Sequence, residues 1–554
     1  MEVEAALKEL GRYGRYQIYQ LFLIEIVSLA SAFGLVGLVF QGWIPEHHCK
    51  LSTVNQTVNQ SIPYTTSEDG EIKLDQCRQF KSIIDNTTVV CQNGYSYQSQ
   101  GYYTLTQQFS WVCESSHMNA LMIAVHFGGF MAGSIVVPPW SDYFGRKKPL
   151  IVCSLLCAVT MFLPAIFINQ TFFAIMRFFS GMFNLGAFLC GFVLACEWFP
   201  TDQRSFANAF HMISWTVGLI LTGVCGYFFT DWRYMQIITG IVYSVPIIGI
   251  WFYDESVAWL VANSRSEEAI RILRKAAKFN QRSLSPAVIS AIRKTTESTK
   301  QGVYSARDKI RLAFRNMVGC SKGNEDFNNE TIGILKILKH PKLRLYTILE
   351  SIIWSFTSLS YYGLTMSTTV MAGGRFANYF LGTAIELPSY IVMHFVLQYV
   401  GRRVFLISLY TLNGLALMVV TFCPNSVGET NLVPLIVTLN ALGRCCCAVA
   451  FAVTYIHTSE LYPTNFRNRA IGITSAFSRV GSMTAPFAAY LAQFISWLPG
   501  VILGCIGLVT ALLLLPLPET RGVPMPQTIS DIDRPKNKST KHPTVDESLL
   551  NGTV

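Results

Sequence analysis

Glu386 and Arg479 each interrupt a run of apolar residues long enough to form a buried helix. An ionisable side chain in such a run is costly to bury, so it either pairs with another charge or lines a polar pathway. Two arrangements follow: a direct ion pair between Glu386 and Arg479, or two opposite charges facing one cavity. Trp354, Tyr361 and Tyr362 lie seven and eight positions apart, which puts them on one face of a helix. Their ring faces would attract an organic ammonium group. Glu25, Glu350 and Arg444 are buried by the same criterion and are candidates for ion coupling. His126, His211 and His394 could titrate near neutral pH, with hydrogen bonding between helices as their expected role.

A second set of charges is repeated. Glu197-Trp-Phe-Pro-Thr-Asp-Gln-Arg204 and Glu460-Leu-Tyr-Pro-Thr-Asn-Phe-Arg467 share the pattern E-x-[FY]-P-T-x-x-R, 263 positions apart. Gly145-Arg146-Lys147 matches Gly401-Arg402-Arg403, and Glu255-Ser256 matches Glu519-Thr520, at offsets of 256 and 264. Three motifs recurring in one order at nearly constant spacing imply two homologous halves that rock about a central site. The carboxylates and arginines, with Asp142 beside the first glycine, can form ion pairs and helix-end contacts that close a mouth. Anchoring of the chain by positive charge is the simpler role for Arg146 to Lys148.

The elements that must position these residues are membrane spans. Of 554 residues, 51 % are apolar and 14 % charged, too few charges for the surface of several soluble domains. The apolar residues fall into twelve blocks of about 20, the length of a helix that crosses a bilayer. The expected divisions are 1–16 as a cytosolic N-terminus, 17–40 as the first span, 41–118 as an external loop and 119–253 as spans two to six. Residues 254–343 then form a cytosolic loop, 344–517 spans seven to twelve, and 518–554 a tail expected to be disordered. The first block is too long for a signal peptide and is read as a retained helix. Residues 254–344 carry 18 Lys and Arg, whereas the 41–118 loop carries Lys50, Lys73, Arg78 and Lys81. Basic loops stay inside, so both termini are expected in the cytosol. The outer loop holds sequons at Asn55, Asn59 and Asn86, and Cys49, Cys77, Cys91 and Cys113, which can form two disulfides in any of three pairings.

Ser141 to Lys147, Arg177-Phe178, Glu255 to Leu260, Tyr361 to Leu364, Glu386-Leu-Pro388, Gly401 to Arg403 and Ser459 to Arg467 together resemble the organic cation, anion and zwitterion transporter family. The resemblance runs from residue 1 to about 525 and implies an all-α membrane protein of the major facilitator fold, with twelve transmembrane helices in two pseudo-symmetric six-helix halves. It also implies that the Trp354, Tyr361 and Tyr362 face lines the central cavity. Cation carriers of the family typically have an acid at the positions of both Glu386 and Arg479, and anion carriers an Arg at the second. Glu with Arg is the combination of the carnitine transporters. The sequence departs from the family pattern at Pro138, where a Gly is usual, and at Tyr143, where an Arg is usual. Asp254 and Ala258 stand where Pro and Arg are usual. These departures bear on coupling and gating.

The expected function is a plasma-membrane carrier of small organic ions working by alternating access, with carnitine-like zwitterions or quaternary ammonium cations favoured. An organic anion carrier or a non-transporting regulatory relative is the alternative. No G-x-x-x-x-G-K-[ST] loop, H-E-x-x-H or metal-ligand cluster is present in the sequence, so no enzyme, catalytic residue, metal or cofactor is expected. Na+ or H+ is left open as a coupling ion. Expected partners are the small organic ion, the lipid bilayer and a second copy of the chain in a homo-oligomer. The net charge of +10 resides chiefly in the basic loops and reports topology and acidic lipid, not nucleic acid.

Overall fold

A computed structural model describes residues 2–50, 61–66, 72–80, 87–98, 101–200, 203–300, 339–367 and 374–521, apart from 425, 428, 429, 493 and 496. Helices occupy all twelve expected blocks. In the first half they are Arg15–Gln41, His117–Phe144, Lys147–Ile166, Gln170–Glu197, Arg204–Phe228 and Trp232–Ile248. In the second they are Pro341–Ser367, a broken eighth span of Arg375–Ala384 and Glu386–Tyr399, then Arg402–Phe422, Val433–Leu461, Thr464–Leu491 and Leu498–Leu513. The first span has 27 residues, about 40 Å of helix.

Among the described residues, nine of these helices are apolar and long enough to cross a bilayer by composition alone, and the twelfth is a shorter apolar helix. The seventh and eleventh are not among these nine, being richer in polar residues, and some of those residues face each other. Ser358 and Ser478 are hydrogen bonded, and the Ser355 hydroxyl donates to the Phe477 carbonyl at 2.8 Å. Gly481 lets these backbones meet, since a Cβ there would lie 1.9 Å from the Ser355 carbonyl oxygen. Gly218, 263 positions earlier, serves the first and fifth spans alike, with the Leu29 carbonyl 2.5 Å from its notional Cβ. Small residues at crossings are how helices pack without a hydrophobic driving force.

Pro388 breaks the eighth span. It has no N–H to give the carbonyl four residues back, and the helix restarts at Glu386. The carboxylate therefore sits in the first turn of a new helix, where the helix dipole favours negative charge.

Both segments outside the spans carry order. In the first loop three antiparallel strand pairs form: Glu46–Cys49 with Tyr95–Gln98, which brings the ends of the loop together, and the hairpins Tyr64–Thr66 with Ile72–Leu74 and Arg78–Phe80 with Thr88–Val90. Of the three possible disulfide pairings the structure holds Cys49–Cys91 and Cys77–Cys113. The sequons at Asn55, Asn59 and Asn86 lie outside the described residues. At the opposite end, Ser266–Phe279 buries Ile270, Leu273 and Ala277 on one face. Asn280, at its C-terminus, accepts from the Tyr16 N–H at 2.8 Å and donates to the Leu10 carbonyl at 3.1 Å, tying this helix to the start of the first span.

Candidate functional site

The repeated motifs build two matching devices at the end of the bundle opposite the disulfide loop. In the first half, the Glu255 carboxylate accepts the backbone N–H groups of Arg146 at 2.8 Å and Lys147 at 3.2 Å, closing the N-terminus of the third span. Gly145 makes room for it: its φ is +94°, and a Cβ would lie 2.1 Å from the carboxylate. The Arg146 guanidinium bonds Asp142 at 2.6 Å and Glu197 at 3.4 Å. Half-burial works against this charge, but Glu197 and Asp142 outweigh it and hold its pKa above the ordinary value.

In the second half, Glu519 accepts from the N–H groups of Arg402 at 2.8 Å and Arg403 at 3.1 Å, and Arg402 pairs with Glu460 at 3.3 Å. Gly401 again leaves the space, 2.3 Å from a notional Cβ to Glu519. Burial opposes ionisation of Glu519, but the backbone N–H groups of Arg521, Val404, Thr520 and Arg402 hold its carboxyl below the usual range. The carboxylate at a helix N-terminus is thus used twice.

Among the described residues, every ion pair at this end joins elements of the same half. The motifs fix spans two, three, four and six to one another, and eight, nine, ten and twelve likewise. Arg204 is exposed with no ion pair among the described residues, and the side chain of Arg467 lies outside them. Asp254, one of the departures, acquires partners of its own: it accepts from the Tyr16 hydroxyl and pairs with Lys275 at 2.7 Å.

Between the halves lies a cavity with about 90 Å³ of room for water-sized molecules. Ser31, Asn184 and Met212 line it, with eight aromatic residues: Phe130, Phe188 and Trp215 from the first half, and Tyr361, Tyr362, Tyr390, Phe451 and Tyr455 from the second. Arg479 is its charged residue. The guanidinium lies 5.8 Å from the Phe130 ring centroid, and its Nε finds no hydrogen-bond partner among the described residues.

The other intramembrane charge goes elsewhere. Glu386 is fully buried and bonds Arg444 Nε at 2.9 Å, with the Tyr361 hydroxyl donating to its second oxygen at 3.5 Å. Neither a Glu386–Arg479 ion pair nor a pair of opposite charges on one wall is formed, because Arg444 of the tenth span reaches the carboxylate and Tyr361 screens it from the cavity. Trp354 is set behind the wall, its indole N–H donating to Thr458 at 2.9 Å. Sequence reasoning placed Tyr361 and Tyr362 in the lining; it singled out no aromatic of the first half, and their spacing carries no signal that separates lining from packing.

On the side of spans one, five and eight the halves touch toward the disulfide-loop end. The Tyr379 hydroxyl donates to the Leu219 carbonyl at 2.8 Å, and Phe40 packs on Tyr379 and Phe376 with ring centroids 4.9 and 5.6 Å apart. Nearer mid-depth, the Trp215 indole donates to the Tyr361 hydroxyl at 3.4 Å, and Phe127 meets Tyr362 at 4.8 Å. In the loop, His47, Cys77 and Cys113 come together, but the two sulfurs are joined to each other and leave a lone imidazole, so the group does not form a metal site.

The sequence profile of the sugar (and other) transporter family matches residues 81–529. Human organic cation/carnitine transporter 2 is 28 % identical over 546 residues, covering 94 % of this chain and 92 % of that one. The organic cation transporter-like protein of Drosophila melanogaster is 31 % identical over 451 residues, 81 % of this chain and 76 % of its own. Solute carrier family 22 member 6 of Danio rerio is 26 % identical over 517 residues, 89 % of this chain and 87 % of its own. Among solved structures, the inward-open xylose transporter XylE of E. coli superposes with a TM-score of 0.59 at 15 % identity, covering 92 % of this chain and 98 % of that one.

Proposed function

Because the chain belongs to the sugar (and other) transporter family, in its branch of organic cation, anion and zwitterion transporters, we propose that it carries small organic ions bearing a carboxylate, zwitterions included. It is a multi-pass membrane transporter of the major facilitator fold and not an enzyme. The observation that carries the substrate reading is the charge balance of the cavity. Arg444 neutralises Glu386 behind the wall, so the charge left facing the space is the Arg479 guanidinium.

A substrate carboxylate meets that guanidinium through one or two charge-assisted hydrogen bonds. The aromatic walls take the organic body. A zwitterion is favoured within this class by the tyrosines of the wall, whose electron-rich rings accept a trimethylammonium head. Transport proceeds by rocking of the two halves about this cavity in a plasma membrane, with both termini in the cytosol.

The test is initial uptake of labelled carnitine, benzoate and tetraethylammonium by cells expressing the chain or Arg479→Gln at matched surface density. Losing a hydrogen bond to a charged group costs about 1.5–3 kcal/mol, so uptake of the two carboxylates should fall roughly tenfold to a hundredfold. Uptake of tetraethylammonium with neither carboxylate moved would overturn the reading.

A further inference from the structure

Glu350 of the seventh span and His457 of the tenth form a buried pair that the cavity does not use. Neither side chain is exposed, and imidazole Nδ1 lies 2.9 Å from carboxylate Oε1. The second ring nitrogen, Nε2, faces the Pro518 carbonyl oxygen at 3.3 Å. The second carboxylate oxygen, Oε2, is 2.8 Å from the Thr458 hydroxyl. That hydroxyl already accepts the Trp354 indole N–H and also approaches the Thr454 carbonyl at 2.8 Å.

Counting hydrogens decides what this network holds. Four contacts ask for a proton: imidazole to Oε1, imidazole to the Pro518 carbonyl, and the single hydroxyl to both Oε2 and the Thr454 carbonyl. A neutral imidazole supplies one and the threonine hydroxyl one. Whichever acceptor the hydroxyl serves, the two imidazole contacts need one proton more than a neutral ring carries, and that proton sits on the pair. Burial argues the same way, because beside a neutral imidazole the carboxylate would be an uncompensated charge, whereas one added proton makes the pair electrically neutral. The corresponding pair of the first half, Glu25 with His211 at 2.7 Å, makes no such demand: Glu25 Oε1 and His211 Nε2 find no partner among the described residues.

We propose that Glu350 and His457 are a proton-binding site, and that the proton held there moves in step with the organic ion. The coupling rests on the carrier function proposed above. Binding forms one N–H or O–H bond on the pair. Release breaks it, leaves the electron pair on the imidazole or carboxylate, and passes the proton to water. The site has a contact on each side through which occupancy could be felt. Trp354 packs against Tyr455 of the cavity wall with ring centroids 4.3 Å apart, and Pro518 immediately precedes Glu519, which closes the ninth span. The titratable groups facing the pair are Glu519 after the twelfth span, Tyr410 of the ninth, and Tyr462 after the tenth, the last held by Thr347.

Two measurements on the purified full-length protein test this. In the first, protons taken up across about pH 5 to 9 are counted with an indicator dye for the native chain, Glu350→Gln and His457→Gln. The native chain should bind one more proton than either variant, and equal counts overturn the site. In the second, proteoliposomes hold labelled carnitine or benzoate at equal concentration on both sides, with membrane potential clamped and a pH gradient imposed. The native chain should accumulate label by up to about tenfold per pH unit. Both variants should fail to do so while still exchanging internal for external label. Native protein that exchanges label but ignores the gradient overturns the coupling. Native protein that exchanges neither probe sinks the carboxylate reading instead, and the proton count still decides the site.

Discussion

Arg444 turns Glu386 from a ligand contact into a buried ion pair, and the two roles respond differently to mutation. Removing one partner of a buried pair strands the other charge at about 3–5 kcal/mol, whereas removing both is far milder. Glu386→Gln should therefore lower the amount of folded protein at the surface, and Glu386→Gln with Arg444→Gln should recover much of it. Thermal unfolding of the purified variants reads this directly; a single variant as stable as the native chain, with a raised KM, would make Glu386 a substrate contact after all. The charges themselves were legible as exceptions within apolar runs. Their partners were not, because Arg444 lies 58 residues beyond Glu386 and meets it only through the relative rotation of the eighth and tenth spans.

At the level of elements, the repeated motifs are helix-end devices, and Glu519 gives one of them a pH signature. Its carboxyl is held below the ordinary value of 4.5, so its contribution to stability is complete above that value. It is lost as pH falls through the lowered value. Glu519→Gln should destabilise the second half at neutral pH, and the gap from the native chain should close only below pH 4.5. Melting temperature against pH for the two proteins checks this, and a gap that closes already above 4.5 would place the effect on another group. Hydropathy made the spans readable, and turn-free apolar blocks gave their order. It gave no warning of the break before Pro388 beyond the proline itself, nor of the strand pairs in the first loop, which are only three or four residues long on each side.

For the whole molecule, the consequential contacts are those between the halves. The hydrogen bond from Tyr379 to the Leu219 carbonyl joins the eighth span to the fifth near the disulfide-loop end. Tyr379→Phe keeps the ring and removes that bond, worth about 0.5–1.5 kcal/mol, enough to shift a two-state balance up to roughly tenfold. Spin labels at the exposed positions Phe228 and Phe494, one in each half, should show a larger share of long distances in this variant. An unchanged distribution would remove the bond from the closing machinery. The two-half plan was legible from three repeated motifs. Which residues meet across the divide was not, since no periodicity within one helix encodes its partner in the other half.

Because the glutamate and arginine clamps each bind elements of their own half, neither half borrows a clamp from the other among the described residues. The gene could then be cut in two within the stretch encoding residues 301–338 and the pieces produced as separate polypeptides. Co-expressed, they should find each other through the aromatic contacts and hydrogen bonds between the halves and restore uptake that neither piece shows by itself.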